Sequence, residues 1–195
     1  HHQPRRQRQM CIRDRYLIAR DFHSHTNCQG VVGTVMTNLG VEHAFQELGI
    51  PFFRASVGDR NVIELMKEKN CKFGGESSGH IVCSDLNTTG DGIISSLQVV
   101  AAIVKSGVTL SSLVSSIKKV PQHMVNVRVS KSFDFEHKTI KQAILESEKK
   151  LKSKGRLLVR PSGTEPVIRI MAESPDEAMV VTEINKLSEI IKNHN

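Results

Sequence analysis

The stretch Val31-Val-Gly-Thr-Val-Met-Thr-Asn-Leu-Gly-Val-Glu-His-Ala-Phe-Gln-Glu-Leu-Gly49 decides the fold of the first half of the chain. Val31 to Met36 is a short apolar, β-branched run bounded by Gly30 and by Thr37-Asn38. Such a run suits a strand buried on both faces, and therefore a parallel one. From Leu39 onward, Val41, Phe45 and Leu48 recur at helical spacing, and Gly49 stands where a left-handed C-cap ends a helix. A strand thus passes directly into a helix.

The same alternation continues outward. A strand is expected at Pro51 to Ala55, a helix at Asn61 to Lys69, and short strands around Lys72-Phe73 and Ile81-Val82-Cys83. Parallel neighbours need a covering crossover, so this rhythm predicts an α/β layer fold rather than a bundle or a sandwich. Two further helices are expected, Gly92 to Lys105 and Thr109 to Lys118, the second capped by Thr109. At Lys118-Lys-Val-Pro-Gln122 the pattern changes: proline stops the helix, and His123 to Val129 alternates as a half-buried strand. A domain boundary is expected there, separating residues 16–120 from residues 121–195. The second part reads as strand, helix (Glu136 to Lys152), strand (Arg156 to Arg160), strand (Pro166 to Glu173), helix. In Ser174-Pro-Asp-Glu177 the last helix has an expected Ser174 N-cap, a proline at the first helical position and a glutamate at N3.

Composition narrows the function classes. The chain has 195 residues and 38% hydrophobic content, ordinary for a globular protein. Its longest apolar stretches, such as Leu97 to Val104, fall far short of the roughly 20 residues that cross a bilayer. No signal peptide pattern opens the sequence, so cytosol is the expected location, with no membrane partner. Cys11, Cys28, Cys71 and Cys83 form no C-x-x-C pair and read as reduced thiols, with a Cys71 to Cys83 disulfide as the alternative. The net charge of +7 invites a nucleic-acid partner, but five arginines and one aspartate in residues 1–15 supply +4 of it. Lysines and glutamates are interspersed over the rest, so no nucleic-acid partner is expected. His1 to Arg15 shows neither apolar periodicity nor a cap and is set aside as a foreign or disordered basic leader; a genuine basic arm is the alternative.

Two loops carry chemistry. Arg160-Pro-Ser-Gly-Thr-Glu-Pro166 lies between two expected strands. Arg160 offers a forked guanidinium, Ser162 and Thr164 offer hydroxyls, and Gly163 lets backbone N–H groups approach an anion closely. Arg169, across the following strand, adds a second positive charge. Read alone, the string is either a phosphate cradle or a plain hairpin turn. Gly74-Gly-Glu-Ser-Ser-Gly-His80 displays a carboxylate, two hydroxyls and an imidazole on a glycine-hinged connection. Glu76 and Ser78 suit sugar hydroxyls, and His80 can carry or relay a proton near neutrality. Taken alone, Glu76 and His80 are equally a hydrogen-bonded pair or two stray metal ligands. His23-x-His25 has no carboxylate or cysteine at useful spacing, and Thr88-Thr-Gly-Asp-Gly92 holds a single carboxylate between glycines, so no metal site is expected.

Taken together, the strings resemble a known family. Arg160 to Pro166 is similar to the phosphate-binding loop of the α-D-phosphohexomutases, and Gly75 to His80 to their sugar-specificity loop. Val57-Gly-Asp-Arg60 resembles a segment of the glucosamine branch. The resemblance spans about residues 16–195. It implies the family's third domain, an α/β layer incomplete at its N-terminal end, then its fourth, a smaller α+β domain with an antiparallel sheet. It implies a hexosamine phosphate substrate, glucosamine 6-phosphate interconverting with glucosamine 1-phosphate, with Glu76, Ser78, His80 and Arg60 on the substrate; an aspartate-arginine helix-start pair is the alternative for Arg60. Arg160, Ser162, Gly163, Thr164 and Arg169 would hold phosphate. A phosphomannomutase or phosphoglucomutase, or a stand-alone sugar-phosphate-binding module, are the alternatives. The family also uses a phosphoserine loop and an Asp-Gly-Asp-Gly-Asp-Arg loop that holds Mg²⁺. Neither string occurs in this sequence. The chain is therefore expected to bind sugar phosphate without turning it over, with the Mg²⁺ ligands elsewhere in the parent protein.

Overall fold

The computed structural model of the chain describes residues 18–21, 29–115, 117–130, 132–152, 154–163 and 165–195. The basic leader, Cys11, Cys28, the His23-x-His25 pair and Thr164 lie outside the described residues. The chain divides into two compact units, the first ending at Lys118 and the second beginning at Lys119.

The first unit is built on strands β1 (Val31–Thr34), β2 (Phe52–Ala55), β3 (Phe73–Gly75) and β4 (Ile81–Cys83), in the order β2-β1-β3-β4. β1 pairs in parallel with both β2 and β3, and β4 closes the edge antiparallel to β3. All four residues of β1 are buried. The reason its sequence does not alternate lies in the two layers around it. Val31 packs with Val41, Ala44 and Phe45 of helix α1 (Leu39–Glu47), while its neighbour Val32 packs on the other face with Val62 and Met66 of helix α2 (Asp59–Glu68). Gly74 is the close-approach point on that second face, since a Cβ there would stand 2.7 Å from the Met66 sulfur. Asn38 caps α1 by accepting the Gly40 N–H at 3.0 Å.

Two helices follow β4. In α3 (Gly92–Ser106), Asp91 Oδ1 caps the start by accepting from Ile93 and Ile94, and Gly107 closes the end in the left-handed conformation. The helix expected over Thr109 to Lys118 is a single turn, α4 (Leu110–Leu113). Thr109 does cap it, accepting from Ser112 N–H at 3.3 Å. The serine-rich sequence beyond explains the early stop, because the Ser115 hydroxyl donates to the Ser112 carbonyl at 2.8 Å and competes with helical bonding.

The second unit runs β5 (Gln122–Arg128), α5 (Lys138–Leu151), β6 (Arg156–Pro161), β7 (Val167–Glu173) and α6 (Glu177–Asn193). Its sheet has the order β5-β7-β6 and is antiparallel throughout. Ile168, Ile170 and Ala172 of the central strand bury themselves with Ile140, Ala143 and Leu151 of α5 and with Val180, Ile184, Leu187 and Ile191 of α6. The cap of α6 is Asp176, which accepts from the Met179 N–H at 3.0 Å, and not Ser174. Ser174 is fully buried just before it, where its hydroxyl donates to the Lys154 carbonyl and accepts from Asp176 N–H.

A buried carboxylate joins the two helices of this unit. Glu183 accepts from the Ser147 hydroxyl at 2.7 Å and from the Lys150 ammonium at 2.8 Å. Burial pushes its carboxyl up, but the hydrogen bonds from Lys150 and Ser147 and the charges of Lys150 and Lys186 together hold it below its ordinary value of 4.5. The folded carboxyl thus titrates lower than the unfolded one, so its contribution is complete above about pH 4.5. It is lost as pH falls through the lower folded value. Glu183→Gln should destabilise the second unit at neutral pH by about 1.5–3 kcal/mol, the worth of hydrogen bonds to a charged group. It should also flatten the acid limb in urea unfolding from pH 7 to 3, whereas an unchanged limb would remove Glu183 from the helix contact.

Candidate functional site

In the first unit, the parallel strands β1, β2 and β3 all end at one edge of the sheet, and the chain reverses its lateral direction at β1, going first to β2 and then to β3. In open α/β sheets such a carboxyl edge at a change of strand order is where ligands bind, because the connecting loops diverge there. The Glu76–His80 loop leaves from the end of β3 and the Val57–Arg60 loop from the end of β2. The structure brings these two loops into direct contact. Glu76 Oε1 accepts the Gly58 N–H at 2.5 Å, and Glu76 Oε2 accepts the Ser78 hydroxyl at 3.2 Å. His80 Nδ1 stands 3.0 Å from Asp59 Oδ2. Gly58 takes a φ of 125°, so the turn that aims its N–H at Glu76 and starts α2 at Asp59 favours glycine.

Glu76, Ser78 and His80 therefore stand together, and Asp59 joins them although the sequence reading gave it no role in the site. The only signal for Asp59 was its place beside Arg60 in the Val57-Gly-Asp-Arg60 string. Arg60 itself turns to Glu64, one helical turn on, with its Nε 2.8 Å from Glu64 Oε1 on an exposed face. That ion pair further favours the charged guanidinium through the Glu64 hydrogen bond and charge.

In the second unit, strand register builds an arginine row. Arg160 of β6 lies directly opposite Arg169 of β7, and Asn126 of β5 opposes Arg169 on its other side. Alternation puts this row on the sheet face away from Ile168 and Ile170, which enter the helical core. Like charges opposed across an antiparallel pair destabilise a sheet unless an anion sits with them. The β6–β7 hairpin leads straight off this row, closed by Ser162 N–H donating to the Val167 carbonyl at 2.9 Å. Arg169 Nη2 reaches the Ser162 hydroxyl at 3.5 Å and Glu165 Oε2 at 3.2 Å. Arg169 Nε is buried and has no hydrogen-bond partner among the described residues. A donor in that state costs free energy until an acceptor arrives. Two guanidinium groups, a hydroxyl and the open backbone at Gly163 can hold a tetrahedral oxyanion.

Several other candidate groups among the described residues are committed elsewhere or unsuited to catalysis. Cys71 and Cys83 are free thiols. Burial, with a smaller contribution from Asp85, pushes the Cys83 thiol up to about 11, so it is not a thiolate nucleophile near neutrality. Asp91 is committed to capping α3. Asp59, Glu76 and His80 offer ligand atoms all within 4.8 Å of one another. They do not suit Mg²⁺, which wants octahedral oxygen donors: both Glu76 oxygens already accept hydrogen bonds, and His80 Nδ1 faces Asp59.

With Asp59 accepting from Nδ1–H, the neutral His80 ring keeps Nε2 as its open acceptor. Nitrogen-15 NMR of the His80 ring should show the Nδ1–H tautomer, and Asp59→Ala should shift the population toward Nε2–H. An identical tautomer ratio in the variant would show that Asp59 does not orient the ring.

Comparison with known proteins gives this geometry a family. The family model described as phosphoglucomutase/phosphomannomutase, alpha/beta/alpha domain III, matches residues 14–120, and that for the C-terminal domain matches residues 124–186. The chain is 54% identical over 179 residues to a phosphoglucosamine mutase of Hahella chejuensis, covering 91% of this chain and 40% of that protein. It is 50% identical over the same length and coverage to a phosphoglucosamine mutase of Cellvibrio japonicus. The fold is similar to the N-acetylphosphoglucosamine mutase of Aspergillus fumigatus crystallised with GlcNAc-6P and magnesium. That match has a TM-score of 0.71 at 19% identity and covers 93% of this chain and 46% of that one. The chain thus spans about two fifths of the length of these curated relatives. It belongs to the phosphoglucomutase/phosphomannomutase family, of which it carries domain III and the C-terminal domain.

Proposed function

We propose that this chain supplies the hydroxyl-reading and phosphate-binding loops of a phosphoglucosamine mutase, an isomerase that interconverts glucosamine 6-phosphate and glucosamine 1-phosphate in the cytoplasm. The observation that carries the phosphate assignment is the Arg160–Arg169 row, where Arg169 Nε has no partner among the described residues. An oxyanion there would relieve the repulsion between the guanidinium groups and satisfy the buried donor in one step. Ser162, Gly163 and Thr164 complete the same loop. On the first unit, Glu76 and Ser78 are the groups for sugar hydroxyls, and they are held ready by the Gly58 N–H. Arg60, on its exposed helix face, is assigned to a substrate phosphate. The names of the curated relatives support a glucosamine phosphate over a mannose or glucose phosphate.

In this reading the reaction breaks a phosphoserine P–O bond and forms a P–O bond to a sugar hydroxyl, whose proton leaves while the released serine oxygen takes one up. His80 serves as the proton relay through Nε2, with Asp59 fixing the ring. Mg²⁺, when bound, neutralises charge on the transferring phosphoryl group. We assign the phosphoserine and the Mg²⁺ ligands to the part of the family's chain that the relatives carry beyond this one. By itself this chain then binds and does not transfer.

Isothermal calorimetry with glucosamine 6-phosphate should show binding to the 195-residue chain that Arg160→Ala weakens at least tenfold, about 1.4 kcal/mol. Unphosphorylated glucosamine should not distinguish the two proteins. In a coupled mutase assay with Mg²⁺ and a bisphosphate primer, the chain should give no turnover. Turnover that disappears in His80→Ala would reveal a phosphoryl-accepting nucleophile in this chain and overturn the division of labour.

A further inference from the structure

The β6–β7 hairpin holds a carboxylate among its anion donors. Glu165 Oε2 accepts from Arg169 Nη2 at 3.2 Å, and the same nitrogen stands 3.5 Å from the Ser162 hydroxyl. In a guanidinium, Nε and the Nη2 on its side form a two-donor fork that takes an oxyanion bidentately. Glu165 engages one prong of this fork, while Nε, the other prong, is buried with no hydrogen-bond partner among the described residues. The backbone around Glu165 is fixed. Its carbonyl accepts the Val167 N–H at 2.8 Å, and the next carbonyl, that of Pro166, accepts the Val129 N–H at 2.9 Å. The Glu165 side chain, by contrast, is 61% exposed. The carboxylate can therefore swing clear of Arg169 without opening the hairpin, which is closed by the Ser162 N–H to Val167 carbonyl bond.

We propose that Glu165 is a built-in competitor for the phosphate, a residue that sets how tightly the hairpin grips. It occupies Arg169 while the site is empty, gives way when a phosphate takes Nε and Nη2 together, and re-engages Arg169 to speed release. The inference rests on the phosphate reading of the Arg160–Arg169 row. In the empty site the carboxylate eases the repulsion between the two opposed arginines. It is also weak enough to be displaced, because an ion pair this exposed shifts an equilibrium by about fivefold at most. A phosphate dianion that reaches both guanidinium groups replaces a single carboxylate held on one nitrogen. The proposed reaction gives such a device a purpose. An enzyme that donates a phosphoryl group from a phosphoserine to one end of a sugar phosphate, and takes one back from the other end, must hold each end in turn. Its phosphate grip then has to let go within every turnover, and two arginines without a counter-charge would release slowly.

The test titrates inorganic phosphate into the 195-residue chain and three variants, with calorimetry for affinity and phosphorus-31 line shapes for the dissociation rate. Glu165→Gln keeps the side chain's shape and removes its charge. Glu148→Gln makes the same change of net charge on an exposed position of α5, and Arg160→Ala reports on the phosphate site itself. Glu165→Gln should tighten phosphate by about three- to fivefold and slow its release by a similar factor, the reverse of what losing a structural contact would do. Glu148→Gln should change neither quantity, and Arg160→Ala should weaken binding. Unchanged or weaker binding in Glu165→Gln, with Arg160→Ala still weakening it, would overturn the competitor role and leave the phosphate site standing. So would equal tightening in Glu148→Gln, which would trace the effect to net charge. A lowered thermal transition in Glu165→Gln without phosphate would also overturn it, since the carboxylate would then be holding the hairpin together. Phosphate that binds the chain and Arg160→Ala equally, or binds neither, would instead sink the phosphate reading and this inference with it.

Discussion

The parallel pairing of β1 with a strand on each side is the constraint from which the first unit follows. It demands a β-branched run buried on both faces, covering helices on each, and connections that all emerge at the same sheet edge. Because β2 and β3 flank β1, the loops after them are neighbours although they lie far apart in sequence. The contact of Glu76 with the Gly58 N–H is the chemical result, a carboxylate positioned by a backbone donor from another loop. Substitutions that loosen the β1–β3 pairing would therefore disturb the Glu76–His80 loop before they unfold the helices.

The second unit makes its site differently, by register within one antiparallel sheet. The helical face of β7 is uniformly apolar, while the opposite face carries the arginine row. Arg160 stands against Arg169 as a pair of like charges, and Arg169 Nε has no hydrogen-bond partner among the described residues. A protein selected for stability alone would not keep both features side by side. Their coincidence beside a glycine-containing hairpin is the physical reason to read a ligand there, independent of any family likeness.

Much of this was legible in the sequence. The strand-to-helix passage at Val31 to Gly49 left a strong periodic signal. The strings around Glu76 and Arg160 named the polar groups without saying how they are held. What sequence could not reach was geometry between distant segments: the Asp59–His80 pair depends on β2 and β3 flanking β1, and nothing local in Val57 to Arg60 announces it. The misplaced details share another cause, competition among short polar side chains. Ser174 looks like a cap but is drawn into a buried turn, so Asp176 takes the role. The serines after Leu110 bond the backbone and cut α4 to one turn.

The most direct test of the phosphate site is a titration of inorganic phosphate into the 195-residue chain, following the arginine side-chain Nε–H signals by nitrogen-15 NMR. Signals of Arg160 and Arg169 that move together and saturate, while those of Arg156 and Arg128 stay fixed, are the predicted result. Movement confined to other arginines, or none at Arg169, would contradict the reading of the β6–β7 row as the anion site.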